Sequence, residues 1–232
     1  MITDDGWLSW ASMRILGPVD KVYAAQNAGI GYVPHSAVGF YPGWAARLFS
    51  KDRRPDGRYT AYAAASVHGW ISYNGAVTQH YPFTASCWAS GSEYPNTHFI
   101  AFENEGGFNP ENEPLTPQQV DANVRIIREL AAWRGWGDFH RPVDEQDTTA
   151  HLYEHRECVR WGSTPTACPS GRVPWEWIMT ELAAPPPSPQ PSELQALRAL
   201  VNAGAVIVAA DKDLAHLSEE DRNALKWLVG QF

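Results

Sequence analysis

Ala183-Ala184-Pro185-Pro186-Pro187-Ser188-Pro189-Gln190-Pro191 holds five prolines in nine residues, and this run limits where a core can form. Proline fixes φ and donates no backbone hydrogen bond, so the run should be extended and cannot belong to a core. It divides the chain into a large part, 1–182, a linker, 183–191, and a short segment, 192–232. With 232 residues, 44% hydrophobic and 12% aromatic, the large part can bury one full core. The short segment reads as two amphipathic helices. Ser192-Glu193-Leu194-Gln195 is a capping box, and Leu194, Leu197, Val201, Ala205 and Val208 follow at helical spacing. Ser218 opens a last helix with Leu225, Leu228, Val229 and Phe232. Two such helices are marginal alone, so they are expected to dock on the large part, on a partner, or on each other in a dimer. The oligomeric state is left open.

Within the large part, Trp70-Ile71-Ser72-Tyr73 and Ala76-Val77-Thr78-Gln79 flank Asn74-Gly75. This pattern predicts a hairpin closed by a type I′ turn, with positive φ at both central residues. His98-Phe99-Ile100-Ala101-Phe102-Glu103 is apolar and too short for a helix, so it reads as a strand covered on both faces. Thr116-Pro117-Gln118-Gln119 is a helix start with a hydroxyl cap, Pro at the first helical position and Gln at the third. Val120, Val124, Ile127 and Leu130 or Ala131 mark its apolar stripe, and Gly135 ends it. Further helices are expected at Gly43–Phe49 and near Val173–Leu182. The fold class is α/β: a central mixed sheet flanked by helices, with a short C-terminal helical tail.

The formal net charge is -8. With no basic stripe, the chain is not expected to bind nucleic acid, nor to be drawn by charge alone to an anionic membrane or wall. No window approaches the ~18 consecutive apolar residues of a membrane span, so no membrane insertion is expected. Met1-Ile2-Thr3-Asp4-Asp5-Gly6 lacks a basic region followed by an apolar stretch, so no secretory signal is expected. Three cysteines form no disulfide framework.

Three separate places supply residues that ligate metals. His35 closes the apolar run Ile30-Gly31-Tyr32-Val33, His155 precedes Arg156-Glu157, and Cys168 sits in Thr166-Ala167-Cys168-Pro169-Ser170. Two imidazoles and a thiolate leave one tetrahedral position of zinc open to water, the arrangement of a hydrolytic rather than a structural site. His151 lies four residues before His155 and would share its helix face, so it is a rival ligand; Cys158 is a weaker rival to Cys168. If Cys168 is a ligand, Cys87 and Cys158 remain as two free thiols or one bridge. Glu103 ends the buried strand, where desolvation raises a carboxyl pKa and suits it to general base catalysis. Glu105 shares its strand face, and spacing does not separate the two. Tyr41, Trp44, Trp88 and Tyr94 are candidate walls of a binding groove, or core aromatics.

Several stretches together resemble a known family. These are Ser66-Val67-His68, Asn74-Gly75, Gln79, Pro82-Phe83, Trp88 and Asn96, then Ile100-Ala101-Phe102-Glu103-Asn104-Glu105-Gly106, close to "N…IGIExEG". His155 and Thr166-Ala167-Cys168-Pro169 follow. In order and spacing, from about His35 to Trp177, the chain resembles the zinc-dependent N-acetylmuramoyl-L-alanine amidases, which share a fold with peptidoglycan recognition proteins. The resemblance implies zinc as cofactor with His35, His155 and Cys168 as ligands, and Glu103 as the catalytic carboxylate. It places Thr166 at a second catalytic position and suggests substrate contacts at His68, Trp88, Asn96, Tyr41 and Trp44. Four features depart from the family pattern: Val67 stands where some members carry Tyr, Ala89 where many carry His, Pro34 precedes the first ligand, and the stretch from His155 to Cys168 is long.

What this implies is a peptidoglycan hydrolase that cleaves the amide between N-acetylmuramic acid and L-alanine, with the glycan strand and stem peptide as its partner. A phage endolysin, made in the host cytoplasm and acting on the wall after release, is the expected setting. The alternatives are a non-catalytic peptidoglycan-binding module of the same fold and a bacterial autolysin or recycling amidase. A polymerase-binding role has no direct support in the sequence.

Overall fold

Phe99–Asn104 forms an interior strand of the sheet, and its alternation sets the two layers around it. Ile100 and Phe102 enter one apolar cluster with Val120, Ile127, Leu130 and Ile178. Ala101 enters a second with Trp44, Leu48 and Trp70. Successive residues point to opposite faces, so this strand is buried on both sides, as its unbroken apolar run requires. Each Ile, Leu or Phe so enclosed contributes about 1.5–3 kcal/mol.

The computed structural model describes residues 1–185 apart from Ala25 and Asp138. Its strands are β1 (Met13–Arg14), β2 (Val22–Ala24), β3 (Gly31–Ser36), β4 (Gly69–Ile71), β5 (Val77–Gln79), β6 (Ser86–Cys87) and β7 (Phe99–Asn104). Its α-helices are α1 (Tyr41–Phe49), α2 (Ala61–Ala64), α3 (Glu93–His98), α4 (Pro117–Arg134) and α5 (Trp175–Ala183). A five-stranded mixed sheet has the order β1-β5-β4-β7-β3, and β2 pairs with β6 in a separate ribbon. β7 runs parallel to both β3 and β4, while β4 and β5 are antiparallel. No helix among the described residues is long and apolar enough to cross a membrane. By its internal contacts the chain divides into Met1–Ala184 and Pro185–Phe232. The two helices expected in 192–232 lie outside the described residues.

α4 forms where its signals place it. The Thr116 hydroxyl accepts from the Gln119 N–H at 3.1 Å, and the Gln119 side chain accepts from the Thr116 N–H at 3.1 Å. Gly135 ends the helix in the left-handed region at φ 69°. The cap also fixes the sheet: Thr116 donates its hydroxyl to the Tyr73 carbonyl, and Gln119 donates to the Glu105 carbonyl just past β7. Thr116→Ala is therefore expected to cost about 1–2 kcal/mol, at the upper end for a lost cap, measured by denaturant unfolding.

The β4–β5 hairpin forms, but its turn differs from the one expected. The Ser72 carbonyl accepts from the Gly75 N–H at 2.8 Å, and Ser72 N–H donates to Ala76 at 2.9 Å. Gly75 has φ 79° and Asn74 does not have positive φ. The loop is thus Tyr73-Asn74-Gly75, a three-residue connection with glycine alone in the left-handed region. Asn74 instead uses its side-chain oxygen to accept from the Ala76 N–H. The proline before His35 costs no ladder bond to β7. Tyr32 N–H points the other way, to the His151 carbonyl, and Pro34, two residues on, shares that orientation on the outer edge of β3.

Candidate functional site

Strand register brings the first two site residues together. In the β3–β7 pair His35 lies opposite Glu103. Tyr32, Ile100 and Phe102 enter the cluster against α4. His35 is odd-numbered from Tyr32 and Glu103 from Phe102, so both emerge on the opposite face, the side of α1.

His155 reaches the same place because the chain before it joins the outer edge of β3. Tyr153 N–H donates to the Tyr32 carbonyl, and Tyr32 N–H donates to His151. A 3-10 turn, His155–Trp161, follows, with Glu154 and Glu157 forming a capping box. Arg141 holds Glu157 with two short bonds of 2.7 and 2.8 Å. Arg156 N–H then donates to the Cys168 carbonyl at 2.9 Å, which ties the last segment to the His155 turn. The Cys168 thiol accepts from the Ser36 N–H at 3.3 Å and lies 3.8 Å from His35 Nδ1. The His35 and His155 ring centroids are 4.6 Å apart. One ligand atom from each of His35, His155 and Cys168 lies within 4.8 Å of the other two.

The donor set suits a metal ion. Burial first, then the His155 and Arg47 charges, holds His35 well below the ordinary histidine pKa. Burial brings His155 down to about 4. Both rings are therefore neutral at neutral pH, as ligation requires. Buried His35 Nε2 has no hydrogen-bond partner among the described residues. Burial first, then the nearby Glu103 carboxyl, pushes the Cys168 thiol up to about 12, a cost that an adjacent cation reverses.

The rivals separate cleanly. The His151 ring sits 4.8 Å from Trp136 and 6.2 Å from His140, outside the cluster. Cys158 is fully buried with Val33, Phe99 and Tyr153. Cys87 and Cys158 are both free thiols. Glu105 lies just past β7 and its carboxylate accepts from the Tyr41 and Tyr73 N–H groups. Glu103 Oε2 is enclosed with no hydrogen-bond partner among the described residues. Burial raises the Glu103 pKa to about 7, against the pull of Arg47 and Arg172.

The structure distributes the remaining predicted residues differently. The Thr166 hydroxyl accepts from the Cys168 N–H at 3.2 Å, which leaves its own proton to donate. Trp44 and Glu103 line one cleft of about 250 Å³. Trp44 is itself largely buried and donates its indole N–H to His80 at 3.2 Å. Tyr41 packs edge-on against Trp70 and stacks on His80. Trp88 is 44% exposed and lines a separate groove with Arg54 and Arg58. His68 and Asn96 lie in the interior. His68 is fully buried, its Nδ1 accepts from Ala101 N–H and its Nε2 contacts the Ala85 carbonyl, so the ring is a neutral Nε2–H tautomer with no atom for a substrate. Asn96 is buried and its carbonyl oxygen accepts from the Ala89 and Ser90 N–H groups. It shapes the loop whose Ser90 backbone hydrogen-bonds His155, an outer support for a ligand ring.

Two residues of the site carried no sequence signal. Arg172 is fully buried. Its guanidinium donates to Ser36 Oγ and to the carbonyls of Asn104, Glu105 and Glu113, joining the chain beyond His35, beyond Glu103 and beyond Cys168. An arginine after Pro169-Ser170-Gly171 reads as a surface loop residue until its four acceptors are known. Val38, on the cleft loop, has φ 47°. A β-branched residue there costs about 1–3 kcal/mol, and the paired backbones of Gly39 and Gly106 hold it in place.

The chain is similar in fold to a mutant of PlyL, at 12% identity and a TM-score of 0.50, over 75% of this chain and 98% of that one. It is also similar to the amidase LysC from Clostridium intestinale URNW (19% identity, 75% and 97% covered, TM-score 0.49) and to AmpD (19%, 86% and 99%, 0.48). No curated protein sequence matches it. The family described as N-acetylmuramoyl-L-alanine amidase matches residues 32–171, more than half of the chain and a span that holds His35, Glu103, His155 and Cys168. The protein therefore belongs to the N-acetylmuramoyl-L-alanine amidase family.

Proposed function

We propose that the protein hydrolyses the amide between N-acetylmuramic acid and L-alanine of peptidoglycan, with zinc held by His35, His155 and Cys168 and with Glu103 moving the proton. The observation that carries this reading is the three-ligand cluster, within 4.8 Å, on the sheet face that also presents Glu103. Zinc, when bound, polarises the amide carbonyl and acidifies a water towards a pKa of ~7. A carboxyl with a pKa of about 7 accepts the proton of an attacking water and returns it to the leaving amine at neutral pH. The Thr166 hydroxyl donates to the oxygen that gains charge, an interaction whose removal typically costs ~10²–10³ in rate. Trp44 and Trp70 narrow the cleft beside Glu103 and limit water there.

Metal affinity should carry a proton signature. Both imidazoles are already neutral, so ligation takes one proton from the Cys168 thiol, raised to about 12, and the water acidified towards ~7 gives up a second above that pH. Below about pH 7 zinc affinity should rise about tenfold per pH unit, and more steeply between about pH 7.5 and 9, where the bound water also releases its proton. Chelator competition across this range checks it; Cys168→Asp should flatten the lower slope.

The function is tested by digesting purified sacculi and identifying the new ends by mass spectrometry. New L-alanine amino termini with intact glycan are expected. New glycan reducing ends, or zinc-loaded protein that binds sacculi and releases nothing, would contradict the reading; the latter outcome describes a binding module.

A further inference from the structure

The cleft between the loop after His35 and α1 contains two charged side chains in its lining, Glu103 and Arg47. Arg47 lies in the last turn of α1. Its Nε donates to the Tyr62 carbonyl at 2.9 Å, and its guanidinium carbon lies 5.6 Å from the centre of the Tyr62 ring. These contacts orient the planar group. Neither Nη has a hydrogen bond or ion pair with the described residues, and Arg47 forms none with Glu103. A second, separate groove also carries basic residues. This groove of about 610 Å³ adjoins α2 and includes Arg54 and Arg58, both exposed and without side-chain partners among the described residues. This concentration stands out in a chain of net charge -8.

A guanidinium with both Nη groups open to a cleft matches a carboxylate, which accepts two parallel bonds and neutralises the charge. A sugar hydroxyl or a carboxamide does neither. On the muramic acid side of the scissile bond the lactyl carboxyl is already consumed in the amide, so a free carboxylate comes from the peptide side. We propose that Arg47 is a specificity-determining residue: it takes an ionised carboxylate of the peptide beyond L-alanine. The preferred substrate is then peptidoglycan whose residue after L-alanine carries a free carboxylate rather than a carboxamide. This inference rests on the amidase reading above.

The test uses the zinc-loaded full chain and two synthetic muropeptides that differ only in carboxylate or carboxamide on the residue after L-alanine. The wild type should favour the carboxylate by about 10- to 100-fold in kcat/KM, chiefly through KM. Arg47→Gln should bring the two substrates within about threefold, and Arg47→Lys, which keeps the charge and loses the fork, should fall between. Thermal melting establishes that each variant is folded, and Arg47→Lys decides if Arg47→Gln is not. A wild type with no preference, or a folded variant whose preference is unchanged, overturns the role of Arg47. Cleavage of neither muropeptide by zinc-loaded protein overturns the amidase reading and this inference with it.

Discussion

Glu103→Gln is expected to lower the rate of amide hydrolysis by about 10³-fold while fold and zinc content stay at wild-type levels. The substitution keeps the shape and polarity of the side chain and removes only its capacity to take up and return a proton. Little stability is at risk, because Oε2 of Glu103 makes no hydrogen bond within the described protein. Glu105→Gln is the matched control. That carboxylate accepts from the Tyr41 and Tyr73 N–H groups, so its loss should cost about 1 kcal/mol of stability and leave most of the turnover. A folded Glu105→Gln variant without activity, beside an active Glu103→Gln variant, would move the proton transfer to Glu105.

Cys168→Ala should reduce zinc affinity by more than the ~10–100-fold typical of losing an outer-sphere partner, and hydrolysis should fall with it. The side chain is half-buried, and among the described residues its thiol has polar contacts with the Ser36 N–H and His35, so the fold should survive. Cys158→Ala gives the opposite pattern. Its thiol is fully buried among Val33, Phe99 and Tyr153, so stability should drop by about 1–2 kcal/mol while zinc and turnover remain. Elemental analysis after dialysis, chelator competition and thermal melting distinguish the two. Full zinc content in Cys168→Ala would remove the thiolate from the site.

What was legible in the sequence was what local physics decides. The capping box at Thr116 and the glycine at position 135 bound α4 because the bonds they make are three to four residues away. The apolar run of β7 reads as a doubly covered strand because no solvated face interrupts it. His35 and Cys168 stood out through their immediate neighbours. What escaped is decided at long range. Asn74-Gly75 has the composition of a tight turn, yet the β4–β5 register leaves room for a third loop residue. His68 and Asn96 are polar residues whose partners, Ala85 and Ala101 for one, Ala89 and Ser90 for the other, are backbone groups that composition does not reveal. Arg172 escaped for the same reason: its acceptors are carbonyls 59 to 68 residues away and a hydroxyl 136 away. Spacing alone does not separate Glu103 from Glu105; their surroundings at the end of β7 differ, one carboxyl being enclosed and the other tied to two N–H groups.

Diffraction at the zinc edge from crystals of the zinc-loaded protein tests the central assignment most directly. A single strong anomalous peak is expected about 2.3 Å from Cys168 Sγ and about 2.1 Å from one nitrogen each of His35 and His155, with a fourth position open towards Glu103. A zinc-loaded crystal with its anomalous peak on other side chains, or with His35, His155 and Cys168 drawn apart and no peak between them, would contradict it.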